Sequence, residues 1–398
     1  MARWSYRERA GSGPLTALVL TVVELLACGR REHSTASFSS GSGGAGTEFD
    51  AQHLRVAPTT FDLAFGREWG ALGWVEAPAG LSLWLARFDA RGELLAKPER
   101  RPIAAAAEDL SLAVTAAGPL FVWRERRASS AVARGLLAGT GEDVPMELGP
   151  AWAGRGAARG NLALAVRQAG ALALVRGPEE SCEDGSAEAC FGFRFYQLSA
   201  AGAHETEFPL RVPVPCASQA AQLIPAGGAL EKPGAPALPL EYAVCTRAEQ
   251  LPVLTVFSIE LDRSYAAAYR ILEGCTPLGA GLFAGQPSFV ADCHGSRQLV
   301  RVRGADVPPE QHSLDVRGLV CSAGGPRLRL GEEWLALDQP LEHVELLLDT
   351  ALSPPGARAI WTGQVLLVAE ERAGQLELAR YGCVGSELRK LASPLADG

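Results

Sequence analysis

Short apolar segments with the character of β-strands recur along this chain with a period of about 40 to 50 residues. The first two units place their strands in the same order, at 61–65, 71–75 and 81–88 and then at 110–114, 120–123 and 130–137. Trp74 and Trp123 occupy equivalent positions in these units, 49 residues apart. Cys245 and Cys293, in later units, are 48 residues apart. The pattern predicts a series of small antiparallel sheets that stack on one another.

Repeating units of three or four strands at this spacing are typical of β-propeller blades. Dividing residues 53–398 by the period predicts an all-β propeller of about seven blades, within a range of six to eight. The competing prediction is a set of β-sandwich domains, which also alternate short strands with turns. In either fold, Trp74 and Trp123 are expected in the core, because large apolar side chains fill the interfaces between sheets. Trp69 follows a charged turn and is expected to be more exposed.

The N-terminal residues are organised as an export signal. Arg3, Arg7 and Arg9 precede an apolar stretch at 14–27, which ends in the run Leu-Leu-Ala-Cys at Cys28. This run resembles the lipobox of bacterial lipoproteins. The resemblance implies cleavage of the chain before Cys28, lipidation of its sulfur and acylation of the new amino terminus. The protein is therefore expected to be held to a membrane outside the cytoplasm by acyl chains such as palmitate.

The lipobox resemblance also implies an address and a domain organisation. Gly29 stands where an aspartate would retain such a protein in the inner membrane, so the outer membrane is expected. The signal and the repeats together resemble the repeat-built β-propeller lipoproteins of GC-rich Gram-negative bacteria. The predicted parts are a signal peptide at 1–27, the lipidated cysteine with a flexible Ser/Gly-rich tether at 28–52, and the propeller at 53–398.

Nine cysteines are present, and eight remain once Cys28 is assigned to the lipid anchor. An even number in an exported chain predicts disulfides. A short polar loop separates one cysteine pair, and the repeat register places two further pairs within single blades. The predicted bridges are Cys182–Cys190, Cys216–Cys245, Cys275–Cys293 and, if the last two repeats approach each other, Cys321–Cys383.

The sequence offers no motif for a cofactor or a metal. Residues 53–398 contain no Gly-x-Ser-x-Gly, no His-Glu-x-x-His, no P-loop and no close cysteine pair of the kind that binds zinc. The acidic segment at 179–190 holds carboxylates that calcium could use, but without the ordered spacing of a calcium loop it is interpreted as a solvated hairpin tip. A net charge of −8 argues against a nucleic-acid partner.

The sequence is compatible with two classes of function. The first is a membrane-anchored, non-catalytic scaffold that binds an envelope protein or a polymer ligand. The second is a hydrolase or lyase whose carboxylate pair is assembled at the central funnel from residues far apart in the sequence. Convergent acids with raised pKa values would favour the enzyme.

Overall fold

Seven antiparallel sheets follow one another along the part of the chain that the structure describes. This computed structural model describes residues 58–391, apart from segments between strands, of which the longest is 226–239. For several strands, chiefly those between 206 and 273, the description is limited to the backbone. All of these residues belong to one unit, Phe49–Gly398.

Each sheet is built from strands that are consecutive in the sequence and pair with their sequence neighbours, except that β13 pairs with β11. Sheet by sheet, the strands are β1 (Pro58–Phe65), β2 (Trp69–Glu76), β3 (Ser82–Asp89) and β4 (Glu99–Pro102); β5 (Ala107–Thr115), β6 (Gly118–Arg126), β7 (Ala131–Leu137) and β8 (Val144–Ala151); β9 (Leu162–Arg167), β10 (Gly170–Ser181), β11 (Ala189–Ser199), β12 (Gly202–Glu205) and β13 (Leu210–Pro213); β14 (Gln222–Pro225), β15 (Leu240–Ala248), β16 (Pro252–Glu260) and β17 (Tyr265–Glu273); β18 (Cys275–Phe283), β19 (Gln286–Cys293), β20 (Ser296–Arg301) and β21 (Glu310–Ser313); β22 (Leu319–Ser322), β23 (Gly325–Leu330) and β24 (Glu333–Ala336); and β25 (Arg358–Trp361), β26 (Leu366–Arg372), β27 (Gln375–Val384) and β28 (Glu387–Lys390).

The turns between these strands use the residues that tight turns require. Cys293 pairs with Ser296 across the two-residue turn His294-Gly295. Both turn residues have positive φ, 53° and 79°, as expected for a hairpin turn whose twist matches that of its strands. Asp292 accepts a hydrogen bond from the backbone N–H of Gly295 at 2.8 Å. Consecutive strands within this repeat unit are therefore joined by a tight hairpin turn.

Where side chains are described, neighbouring sheets pack face to face and bury an apolar layer between them. Sheets one and two share a core that contains Val75 and Phe121. Gly73 lies in the same interface, where an added Cβ would stand 2.5 Å from the ring of Phe121. The interfaces on either side are also apolar: Leu120 packs with Val175 across sheets two and three, and Trp74 packs with Leu367 across sheets one and seven.

The packing of sheet one against sheet seven closes the series into a ring. The first strands of successive sheets contact one another, β1 with β5, β5 with β9, β9 with β14 and β14 with β18, and β1 also contacts β25. The first strand of each of these sheets therefore lies at the centre of the ring. The described residues form a β-propeller with seven blades, as the repeat period predicted, and not a set of β-sandwiches.

The sequence also predicts that a strand at residues 53–56 closes the ring by pairing with the last blade, around residues 365–381. Residues 53–56 lie outside the described part of the chain. Sheet seven already has four strands, all taken from Arg358–Lys390. Within the described residues, the ring is closed by side-chain packing between the first and last sheets.

Three tryptophans have the burial that the sequence predicts. Trp74 and Trp123 both lie in second strands and are buried, whereas Trp69 is only partly buried beneath the guanidinium of Arg87. No helix among the described residues is long and apolar enough to cross a membrane. The signal, Cys28 and the tether lie outside the described residues.

Candidate functional site at the centre of the ring

The connection from sheet six to sheet seven runs through the centre of the propeller. The backbone of Leu341 exchanges two hydrogen bonds with Trp361, each 2.8 Å long. Trp361 also pairs with Leu366 of β26, so Leu341 occupies the other edge of β25, which faces the ring centre. The indole N–H of Trp361 donates to the backbone carbonyl of Leu337 at 2.9 Å. We refer to the described residues of this connection, 337, 340–342 and 344–348, as the central segment.

Two acidic side chains of the central segment hold backbone N–H groups of inner strands. Glu342 accepts a hydrogen bond from the N–H of Phe65 in β1 at 3.1 Å. Glu345, in the 3-10 helix Val344–Leu346, accepts one from the N–H of Ala359 in β25 at 2.9 Å. An inner strand has one edge without a partner strand, and a buried N–H left unpaired there is costly. These carboxylates therefore satisfy the backbone of the first and last blades.

Asp62 joins three blades at the same inner ring. Its Oδ2 accepts the N–H of Leu112 in β5 at 2.8 Å, and its Oδ1 accepts Nε of Arg358 in β25 at 3.2 Å. Next to it, Thr60 accepts the N–H of Leu110 at 3.1 Å. Asp62 is only 7% exposed. The side chains of β1 thus cap the free edge of β5 on one side and bind the last blade on the other.

The apolar residues of the central segment anchor it among the last three blades. Val344, Leu347 and Leu348 are buried in one cluster with Leu328 of sheet six and Val368 of sheet seven. Burial of side chains of this size contributes about 1.5–3 kcal/mol each. The segment is thus packed on its apolar side and hydrogen-bonded on its acidic side, and it fills space where inner strands converge.

A second charged cluster lies in sheet two. Arg124 is 1% exposed, and its Nη2 lies 2.8 Å from Asp109 Oδ2 and 3.1 Å from Glu108 Oε2. The β5–β6 pairing shifts register between Glu108 and Ser111, and Asp109 has a positive φ of 53°. A bulge of this kind redirects a side chain, and here Asp109 meets the buried guanidinium. The two acids balance a charge that burial would otherwise make costly.

On the next strand pair, Arg134 connects two acids. Its Nη1 lies 2.6 Å from Glu147 Oε2, and its Nε lies 3.3 Å from the buried carboxylate of Glu125. Partial burial acts to lower the pKa of Arg134, but the hydrogen bonds to Glu147 and Glu125 outweigh it and raise that pKa. Glu125 also lies 3.3 Å from the indole N–H of Trp123. The guanidinium therefore stays charged and holds these acids in place.

Tyr196 in sheet three is a buried phenol with a raised pKa. Burial, with a smaller contribution from the charge of Glu205, raises the pKa of Tyr196 to about 12. Its hydroxyl lies near Gly149 of the neighbouring sheet, where an added Cβ would be 3.2 Å away. Tyr196 is thus a packed core phenol between sheets two and three.

Two of the predicted disulfides are formed. Cys275 bridges to Cys293 directly across the β18–β19 ladder, with the Cα atoms 4.0 Å apart. Cys321 of β22 bridges to Cys383 of β27, with the Cα atoms 5.5 Å apart, and so links the last two blades. The predicted pairings of Cys182 with Cys190 and of Cys216 with Cys245 depend on side chains outside the described residues.

The sequence does not predict that Asp62, Glu342 and Glu345 meet at the ring centre. Asp62 and Arg358 are 296 positions apart, and Glu342 and Phe65 are 277 apart, so no local motif relates them. One available signal was the spacing of Leu341, Val344 and Leu348 where the repeat called for an outer strand. In the described part of the chain, no group of three or more His, Cys, Asp or Glu residues is arranged to hold a metal ion.

Comparison with known proteins finds structural likeness only. No family model and no curated protein matches the sequence. The propeller domain of the Trilobed protease from Pyrococcus furiosus aligns over 86% of this chain and 99% of its own, at 10% identity and a TM-score of 0.45. An acylaminoacyl peptidase aligns over 85% of this chain and 53% of its own, at 11% identity and a TM-score of 0.43.

A mutant of the Synechocystis apocarotenoid oxygenase aligns at 11% identity and a TM-score of 0.37. The alignment covers 64% of this chain and 61% of that enzyme, so the chain spans about three-fifths of the length of the oxygenase it matches. Likenesses of this strength say nothing about what this chain binds or catalyses.

Proposed function

We propose that this chain is a lipid-anchored propeller outside the cytoplasm that binds another component of the cell envelope and performs no catalysis. The observation that carries the non-catalytic part is the state of the carboxylates at the ring centre. Asp62, Glu342 and Glu345 each accept a backbone N–H of an inner strand. Among these described acids, a hydrolase or lyase of the alternative kind would have to use carboxylates that already hold the ring together.

Two further observations support the proposed location. The bridges Cys275–Cys293 and Cys321–Cys383 are typical of proteins that fold in oxidising compartments. The Leu-Leu-Ala-Cys run at Cys28 supplies the anchor expected of a bacterial lipoprotein. Lipid anchors hold a protein at the bilayer through buried methylene groups, each contributing about 0.8 kcal/mol.

Metabolic labelling with an alkyne fatty acid tests the anchor. The wild-type chain should take up the label and sediment with membranes, whereas Cys28→Ser should lose the label and appear in the soluble fraction. Gly29→Asp is the matched control: it keeps the acceptor cysteine and should stay labelled, while moving from the outer to the inner membrane fraction. Undiminished labelling of Cys28→Ser would contradict the proposal.

A further inference from the structure

Sheet six differs from the other blades at its outer edge. It has three strands in the described part of the chain, and β24 is the last of them. The reason is the route of the chain: after Ala336 it turns to the ring centre, where Leu341 pairs with Trp361, instead of returning along the outside. In the described part of the chain, the third strand of this blade is therefore its edge strand, whereas a fourth strand forms the edge in the neighbouring blades.

The sequence of β24 differs from that of four other outer strands. Proteins protect exposed sheet edges with short strands that carry charged residues or proline. Four outer strands follow this rule, reading Glu-Arg-Arg-Pro in β4, Gly-Ala-His-Glu in β12, Glu-Gln-His-Ser in β21 and Glu-Leu-Arg-Lys in β28. By contrast, β24 reads Glu-Trp-Leu-Ala, and Trp334 is 48% exposed. An exposed tryptophan on an open edge is a feature of binding surfaces.

The hydrogen-bonding direction of β24 can be read from its register. The N–H of Leu337 donates to the carbonyl of Pro326 in β23 at 3.1 Å. In an antiparallel ladder, alternate residues direct their N–H and C=O groups to the same side. Leu335 therefore also faces β23, whereas the backbone groups of Trp334 and Ala336 face outward. No strand among the described residues pairs with that edge.

One face of sheet six is exposed and basic. Val320, Arg327 and Ala336 lie side by side across the three strands, and all three are exposed. Arg329 lies in the neighbouring row, with its guanidinium 5.9 Å from the ring centre of Trp334. Arg327 is exposed on the same face as Trp334, so this face combines a positive charge with an aromatic ring on a chain whose net charge is −8. We call Val320, Arg327, Arg329, Trp334 and Ala336 the sheet-six patch.

We propose that the outer edge of β24 binds an extended, acidic segment of a partner protein as an additional strand of sheet six. This inference rests on the binding role proposed above and names its surface and partner class. Main-chain pairing would use the outward groups of Trp334 and Ala336, as in other cases of strand addition. Ala336 is small, so the side chain of Arg327 can extend over it towards a carboxylate on the added strand, two strand spacings or about 9.6 Å away.

Fluorescence anisotropy with the full-length protein tests this directly. The probe is a short fluorescein-labelled peptide of alternating glutamate and valine, and its counterpart carries lysine in place of glutamate. The glutamate peptide should bind and the lysine peptide should not. Trp334→Ala and Arg327→Glu should each weaken binding of the glutamate peptide by about tenfold, and Arg327→Glu should also improve binding of the lysine peptide.

Ala336→Pro separates strand addition from simple charge attraction. Proline removes the outward N–H that only an added strand would use, and proline is tolerated on edge strands. Binding should fall by about tenfold or more, while Ala336→Ser, which keeps the N–H and a small side chain, should bind like the wild type. Arg327→Glu lies on an exposed side chain and keeps the test decisive if Ala336→Pro does not fold.

Equal binding of the two peptides, equal binding by Ala336→Pro and Ala336→Ser, or no binding of the glutamate peptide would each overturn the inference. The fatty-acid labelling of Cys28 is read separately from peptide binding. A labelled, membrane-bound protein that does not bind the acidic peptide would therefore refute the proposed binding at β24 without refuting the lipid anchor.

Discussion

Asp62 provides a stringent test of the view that the central acids are structural. Asp62→Ala removes the partner of Arg358 and the acceptor for the N–H of Leu112. Breaking a buried ion pair by removing one partner costs about 3–5 kcal/mol, and an unsatisfied buried N–H costs about 1–3 kcal/mol. The Arg358 side chain is 19% exposed, so water can hydrate part of its charge in the variant. We therefore expect a loss of about 3 kcal/mol in the free energy of unfolding.

Urea unfolding followed by tryptophan fluorescence, with the disulfides kept oxidised, measures this loss. Asp62→Asn keeps an acceptor for Leu112 but loses the charge, so it should cost less than Asp62→Ala. The double variant Asp62→Ala with Arg358→Met should cost less than the sum of its parts by at least about 1 kcal/mol. Glu387→Ala breaks a surface pair with Arg389 and should cost at most about 1 kcal/mol.

The opposite result would favour the enzyme. Acids held for catalysis are commonly strained, and their replacement is neutral or stabilising. An Asp62→Ala variant as stable as the wild type, or more stable, would therefore refute the structural role of this carboxylate. It would favour the alternative function, a hydrolase or lyase with a carboxylate pair at the central funnel.

Two further predictions concern stability. Replacing Cys321 and Cys383 together by serine should lower the free energy of unfolding by about 4 kcal/mol, and replacing Cys275 and Cys293 should lower it by about 3 kcal/mol. The first bridge costs more to remove because it closes the longer loop, with a sequence separation of 62 against 18. The reverse order of the two denaturant midpoints would contradict this prediction. Tyr196 has a pKa of about 12 in the folded protein against about 10 in the unfolded chain. The contribution of its protonated hydroxyl to the free energy of unfolding is therefore complete below pH 10 and is lost as pH rises through 12. Tyr196→Phe should reduce the loss of stability at alkaline pH, and an unchanged stability profile against pH would contradict this prediction.

The repeat by itself determined the architecture of this protein. Strand alternation and turn residues are local properties, so the spacing of Trp74 and Trp123 was enough to predict equivalent second strands in successive blades. The same register placed Cys275 at the start of a first strand and Cys293 at the end of a second, and it predicted their bridge. These features depend on residues within one blade, where a short segment of chain fixes its own pairing.

Only the tertiary structure decided what lies at the ring centre and at the edge of sheet six. The segment from Trp334 to Leu348 has a weak helical period, yet it forms the strand β24, the contact of Leu341 with Trp361 and a single 3-10 turn. The free edges of inner strands from several blades must find hydrogen-bond partners, and that requirement exists only once the ring has closed. The sequence could not reveal it, because Phe65, whose N–H donates, and Glu342, whose carboxylate accepts, are 277 positions apart.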